Sequence, residues 1–176
     1  MTAPFPPLPP VAGLPVLDTP VRPDWLDHNG HMNVAAYLIA FDQGCCALCS
    51  LAGIGPDRIA ETGHTVFVGQ ANVVYRREVH AGDRLCITAR LRDLAADRMQ
   101  LYLTMWRAGA KGAELAAACE ELAVGVRLET RRPAPFPADV AAWLAALRAA
   151  DDSLPPPRLT IGAISLTRAP ATKAKP

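Results

Sequence analysis

"NVAAYLIAFDQGCCALCSLAGIGP", residues 33–56, is the stretch on which the fold turns. It is too long for an ordinary strand. Tyr37, Phe41, Gly44, Leu48 and Leu51 make a stripe at helical spacing, so the run reads as a helix. Asn33 can cap it, because its side-chain oxygen can accept from first-turn amides, and Gly53 and Pro56 supply a stop. Leu38, Ile39, Ala40, Cys45 and Ala47 are apolar too. A helix apolar on nearly every side has to be enclosed by protein. Asp42, Gln43 and Ser50 interrupt the run and make it a poor membrane span.

The sequence downstream can supply the enclosure. "HTVFVGQANVVYRREV" (64–79) is rich in β-branched residues and reads as a long strand. Phe67, Gly69, Ala71, Val73, Tyr75 and Val79 are expected on one face, with His64, Gln70 and Asn72 on the polar one. In "RLCITARLR" (84–92), Leu85, Ile87, Ala89 and Leu91 alternate with Arg84, Cys86, Thr88, Arg90 and Arg92; "MQLYLTMWR" (99–107) alternates likewise. "AELAAACEELAVGVRLE" (113–129) is helical in composition at its start and alternating at its end. Three strands joined by short turns need a meander to continue, which favours a strand there. Upstream, "VLDTPVRPDWL" (16–26) fits a first strand that Pro20 and Pro23 confine to an edge. Near the C-terminus, a short helix begins at Pro137 or Ala138 and turns Val140, Trp143, Leu144 and Leu147 to one side. The order predicts an α+β domain: a five-stranded antiparallel sheet wrapped around one long helix, with a short C-terminal helix.

Length suggests one domain with tails. The domain is expected at 16–150, between a proline-rich lead-in (1–15) and a proline-rich tail (151–176). The only strand-like piece of that tail is "RLTIGAISL", and the tail is expected loose or packed on a neighbour. A net charge of +1 gives no broad basic surface, so nucleic acid is a poor partner. The N-terminus lacks a basic n-region, which argues against a signal peptide and for a soluble, cytoplasmic chain. Cys46 and Cys49 form a CxxC deep in the apolar helix, with no second pair to complete a zinc site; all five cysteines read as buried, reduced thiols.

"DHNGHMN" (27–33) stands directly before the helix. It could hold a metal, present a catalytic carboxylate, or only cap. A metal site from His28 and His31 lacks helical i, i+4 spacing and a clear third ligand.

"VRPDWLDHNGHMNVAAYLIAFD", followed by "VVYRREVHAGDRL" and "RRPAPFP", resembles the hot-dog-fold acyl-CoA thioesterases of the 4-hydroxybenzoyl-CoA thioesterase type. Within them the chain is most similar to the thioesterases of carnitine and betaine breakdown, including those fused to carnitine dehydrogenase. The resemblance covers about residues 16–148. It implies a hot-dog homodimer, often paired into a homotetramer, with sites at the subunit interface. It also implies no metal and no organic cofactor, since coenzyme A arrives with the substrate. By position, Asp27 matches the family's catalytic aspartate.

Thioester hydrolysis needs an attacking oxygen and fixed donors for the oxyanion. A helix N-terminus offers free amides and a positive dipole end. Asp27 is expected to attack or to polarise water, with His31 in support. The amides of Val34 and Ala35, with one near Gly30, are expected to hold the carbonyl oxygen, and Asn33 to cap and meet substrate. His28 is expected exposed. Asp42, the lone acid of the enclosed helix, needs a partner and is a candidate pocket residue, as are Gln70 and Asn72. The family pattern carries glutamate and histidine at the last two positions, so this chain departs there. Glu78 is expected to pair on the sheet surface. Arg76, Arg77, Arg90 and Arg92 could meet coenzyme A phosphates, though a solvated strand face is the blander reading. Trp106 and Tyr102 are expected to pack, or to line an acyl pocket where a quaternary ammonium favours aromatic surfaces.

The leading expectation is an acyl-CoA thioesterase acting on a small or medium acyl group, betainyl-like by resemblance. A hot-dog enoyl-CoA hydratase or dehydratase, and a non-enzymatic acyl-CoA binder, are the alternatives.

Overall fold

The computed structural model describes residues 5–159 and 161. Strand β1 (Leu14–Pro20) leads to helix α1 (Val34–Leu51) and a short helix α2 (Ile59–Thr62). Next come strands β2 (His64–Tyr75), β3 (Arg84–Leu94), β4 (Arg98–Gly109) and β5 (Gly112–Arg127), then a two-residue strand β6 (Arg132–Pro133) and helix α3 (Ala138–Asp152). The sheet is antiparallel, in the order β1-β3-β4-β5-β2, with β6 added to β5. The segment 113–127 is therefore a strand, as the meander required, and the chain turns at 128–129. Strand β1 ends at Pro20 on the sheet edge, where a missing amide donor does least harm.

Helix α1 lies across the inward face. Asn33 Oδ1 accepts from the Ala35 amide at 2.8 Å, and Gly53 (φ 80°) turns the chain after Leu51. Gly44 comes so near β3 that a Cβ would stand 2.7 Å from Ile87 Cγ2. Phe41 and Leu48 of the helix, and Leu85, Ile87, Leu91, Leu101 and Leu103 of the sheet, lose all contact with solvent. Each such side chain is worth about 1.5–3 kcal/mol of burial.

The enclosure is one-sided. Val34, Leu38, Ile39 and Leu51 remain exposed on the other flank of α1, as does Asp42. One sheet can cover only the side it curls around. The sheet's free edge, β2, exposes Phe67, Val68 and Tyr75 as well.

Two further expectations are corrected. Between Val68 and Gln70 the β2–β5 register shifts. A one-residue slip turns every later side chain to the opposite face. Val66 packs on the core before the bulge and Ala71 and Val73 after it, so Phe67 and Gly69 do not share their face.

The outer face of β3 and β4 is not solvated either, because the chain's own flanks cross it. Thr88 Oγ1 donates to the Ala12 carbonyl at 2.6 Å, and Tyr102 to that of Leu159 at 2.8 Å. Trp106 Nε1 donates to Thr88 Oγ1 at 3.1 Å. Arg90, fully buried, donates through Nε to Asp151 and through Nη1 to the Pro155 carbonyl at 2.7 Å; Arg92 reaches the other oxygen of Asp151 at 2.5 Å. Polar strand residues tolerate this burial because they find partners. The tail thus packs on its own sheet as far as it is described. Residues 160 and 162–166 of "RLTIGAISL" lie outside the described residues.

Cys45, Cys49, Cys86 and Cys119 are buried and unpaired, whereas Cys46 is exposed. Helix α1 is apolar and long enough to cross a membrane by composition, but it packs along one side on the sheet as a core helix does.

Candidate active site

Residues 26–33 hold an acid at the mouth of α1. The Met32 amide donates to Val79 O and the Asn33 amide to Trp25 O, each at 2.7 Å, so the loop is pinned between the buried Trp25 and Val79. Within it, the Gly30 amide donates to Asp27 O at 3.1 Å. Gly30 takes φ 80°, a left-handed conformation that glycine adopts without strain. The Asn29 amide donates to Asp27 Oδ1 at 2.8 Å. That bond, with help from the nearby His31, holds the Asp27 carboxyl below the usual carboxylate range against its partial desolvation. Asp27 is therefore an anion at neutral pH. His31 Nδ1 stands 3.9 Å from Asp27 Oδ2 and 3.3 Å from Met32 O, so it lies beside the acid without a hydrogen bond to it.

Asp27, His31, Asn33 and Val34 open onto one cleft of about 360 Å³, with Tyr37, Tyr75, Arg76, Arg77 and Glu78 on its walls. The three amides expected to hold an oxyanion differ in what they have left to give. That of Gly30 is taken by Asp27 O and that of Ala35 by the Asn33 side chain. The Val34 amide has no partner among the described residues, and it sits at the positive end of α1. The cleft thus joins an anionic carboxylate to one unspent backbone donor.

Other expected site residues lie elsewhere. Asp42 is exposed on α1 and does not line this cleft. Gln70 and Asn72 pair with Leu122 and Glu120 on the outer face, where they line a separate cleft of about 280 Å³ with Arg98, Gln100 and Glu120. Arg90 and Arg92 are spent on Asp151, while Tyr102 and Trp106 lie under the chain's flanks. Of the four arginines only Arg76 and Arg77 reach the cleft. His28 is exposed, and Glu78 lies on the cleft with its carboxylate 3.7 Å from His80 Nε2. Among the described residues, no group of three or more His, Cys, Asp or Glu could hold a metal.

Two features escaped sequence reasoning. Tyr37 and Tyr75 meet edge to face across the cleft wall, ring centres 5.1 Å apart and planes at 86°. Both look like core residues in a periodic pattern, and only the crossing of helix and strand brings them together. Glu121 is buried beneath α1 beside Cys119, with Oε2 lacking a partner among the described residues; burial pushes its carboxyl up. In the sequence it is one of two adjacent glutamates on an alternating strand, with nothing to mark which one turns inward.

The pattern of the thioesterase-like superfamily matches residues 21–144. The betainyl-CoA thioesterase of Pseudomonas aeruginosa is 30% identical over 144 residues, covering 82% of this chain and 89% of that one. The L-carnitine dehydrogenase/betainyl-CoA thioesterase of Ruegeria pomeroyi is 32% identical over 149 residues, which are 84% of this chain but 29% of that longer protein. The crystal structure of a protein from Pseudomonas putida KT2440, assigned as a thioesterase, superposes with a TM-score of 0.76 at 26% identity, covering 89% of this chain and 98% of the other. An acid and a free amide at the mouth of a helix half-wrapped by a curled sheet, together with these relatives, establish that the chain belongs to the thioesterase-like superfamily, with the hot-dog fold.

Proposed function

We propose that Asp27 carries out thioester hydrolysis at the mouth of α1, on a small acyl-CoA whose acyl group bears a quaternary ammonium, as in betainyl-CoA. The enzyme is an acyl-CoA thioesterase. The observation behind the proposed chemistry is that one cleft presents both the Asp27 carboxylate and the unpartnered Val34 amide. With the thioester oxygen on that amide, Asp27 either attacks the carbonyl carbon, giving an anhydride that water hydrolyses after coenzyme A has left, or takes a proton from a water that attacks the carbon itself. The C–S bond then breaks, and coenzyme A leaves as a thiolate that gains a proton. The positive end of α1 stabilises the charge that develops on oxygen. Arg76 and Arg77, which line the cleft, would meet coenzyme A phosphates, which suit guanidinium geometry.

The proposed assembly is a homodimer, or a pair of dimers, in which a second copy covers the exposed flank of α1 and the free edge of β2. Val34, Leu38, Ile39, Phe67, Val68 and Tyr75 would be costly to leave in water together.

The test is thiol release from a panel of acyl-CoA esters. Asp27→Asn keeps the side chain's size and removes its charge. It is expected to lower kcat by about 10²–10⁴-fold while acyl-CoA still binds. Hydration of crotonyl-CoA without thiol release would favour the hydratase instead. Binding without turnover in the wild type would favour the binder.

A further inference from the structure

We infer that Tyr37 and Tyr75, with Glu78, form the wall that selects a cationic acyl group over a neutral one of the same shape. The inference rests on the cleft being the acyl site.

Two tyrosines at right angles form a corner, not a flat surface. Each hydroxyl is tied to the main chain: Tyr37 donates to Arg77 O at 3.1 Å and Tyr75 to Val34 O at 3.4 Å. Those bonds fix the rings from two different elements; Tyr75 is 44% exposed and offers the larger ring surface, while the buried Tyr37 backs it and touches the cleft. A trimethylammonium head is round, weakly hydrated and has no hydrogen to donate. A carboxylate alone holds it poorly, whereas the negative faces of aromatic rings attract it over its whole surface. Glu78 adds a full negative charge on the same cleft.

The cleft also contains Arg76 and Arg77, which repel a second cation. Arg77 is partly neutralised by Glu114, 4.0 Å away. A cation in this cleft is therefore favoured only against the tyrosines and Glu78, on the side of the Val34 carbonyl that Tyr75 touches. Val34, whose free amide would receive the thioester oxygen, lines the same cleft, and an acyl group of the betaine type separates carbonyl from ammonium by a single methylene. The two requirements are compatible within one short substrate.

The test compares betainyl-CoA with 3,3-dimethylbutyryl-CoA, in which carbon replaces the ammonium nitrogen at nearly unchanged shape. The ammonium also makes its own thioester more reactive, but equally in every variant, so the readout is the change in the ratio of the two kcat/KM values. Tyr75→Leu removes a half-exposed ring and is expected to lower that ratio by about 3- to 30-fold. Tyr75→Phe keeps the ring face and is expected to restore it. Glu78→Gln, on the surface, is expected to lower the ratio at low salt and less so at high salt, since screening weakens an exposed charge. An unchanged ratio in both Tyr75→Leu and Glu78→Gln overturns the inference, while a wild-type preference for the charged ester would leave the substrate reading standing. A wild type that favours neither ester overturns the substrate reading and the inference together. Thiol release from both esters would still leave a thioesterase.

Discussion

Asp151 is the residue whose loss should cost the fold most. It closes the C-terminal turn of α3, where an acid faces the negative end of the helix dipole. On an exposed helix that placement is unfavourable by about 0.3–1 kcal/mol, so Asp151→Asn would be mildly stabilising. Here the opposite is expected. The side chain is 2% exposed and ion-paired with Arg90, whose side chain is 0% exposed, and with Arg92. Without the carboxylate, Arg90 keeps its donations to carbonyls but remains a buried charge with no counter-ion, and its Nη2 already lacks a partner among the described residues. Breaking one side of such a pair costs about 3–5 kcal/mol. For a chain of this length that lowers Tm by roughly 6–20 °C. Urea unfolding of Asp151→Asn, Arg90→Met and the double variant measures it. Both single variants should lose stability, and the double should recover most of the Asp151→Asn loss because no charge is then stranded. Turnover per folded molecule should persist, since the cluster is on the far face of the sheet from Asp27. A single Asp151→Asn within about 1 kcal/mol of wild type would refute the reasoning, because buried charge could not then be what Asp151 compensates.

Glu121 should make stability depend on pH. Its folded carboxyl lies above the ordinary value, so the fold binds a proton the unfolded chain gives up. That contribution is intact below the unfolded value of about 4.3 and is lost as pH rises through the folded one. Glu121→Gln should gain on the wild type in urea midpoint between pH 4.5 and 8, and parallel pH curves would contradict this. Asn33→Ala removes the α1 cap and should cost about 1 kcal/mol, a fall in Tm of roughly 2–4 °C. Ile39→Glu, on the exposed flank of α1, should give a monomer by light scattering with reduced turnover although Asp27 is intact. If Asp27 acts as proposed, the acid limb of kcat/KM should fall below the ordinary aspartate value of about 3.9, so activity should persist at a pH where an ordinary carboxylate is half protonated.

Period carried most of the fold. Alternation in 84–92 and 99–107 marked β3 and β4, and the cap at Asn33 marked where α1 begins. Both are local signals, written in residues a few positions apart. The bulge at Gly69 was not legible, because one unpaired residue leaves the composition of a strand unchanged while it reverses the faces of every residue beyond it. Nor was the covering of the outer face: the partners of Arg90 are 61 and 65 residues away, and an arginine that alternates with core residues looks the same whether water or Asp151 meets it. Asp27 stood out through the resemblance, since its position before the helix matches the family's catalytic aspartate; its place before a helix start alone left a plain turn or cap open as well. The Tyr37–Tyr75 corner did not, since it exists only where a helix crosses a strand.

The same end of α1 bears two deficits that have one remedy. The helix opens with an amide the cap leaves unused, because the Asn33 side chain reaches Ala35 and not Val34. It also leaves a flank of large apolar side chains in water, beginning with Val34 at 61% exposure. Val34 and Tyr75 belong at once to the exposed apolar set and to the cleft that contains Asp27. A second copy laid against that flank would therefore bury apolar surface and exclude water from the cleft in one step. An amide facing a developing oxyanion is worth far more in such a water-poor site than in an open groove. In the proposed homodimer, association would then be a condition of catalysis, and the weak points of the single chain would be where the site is completed.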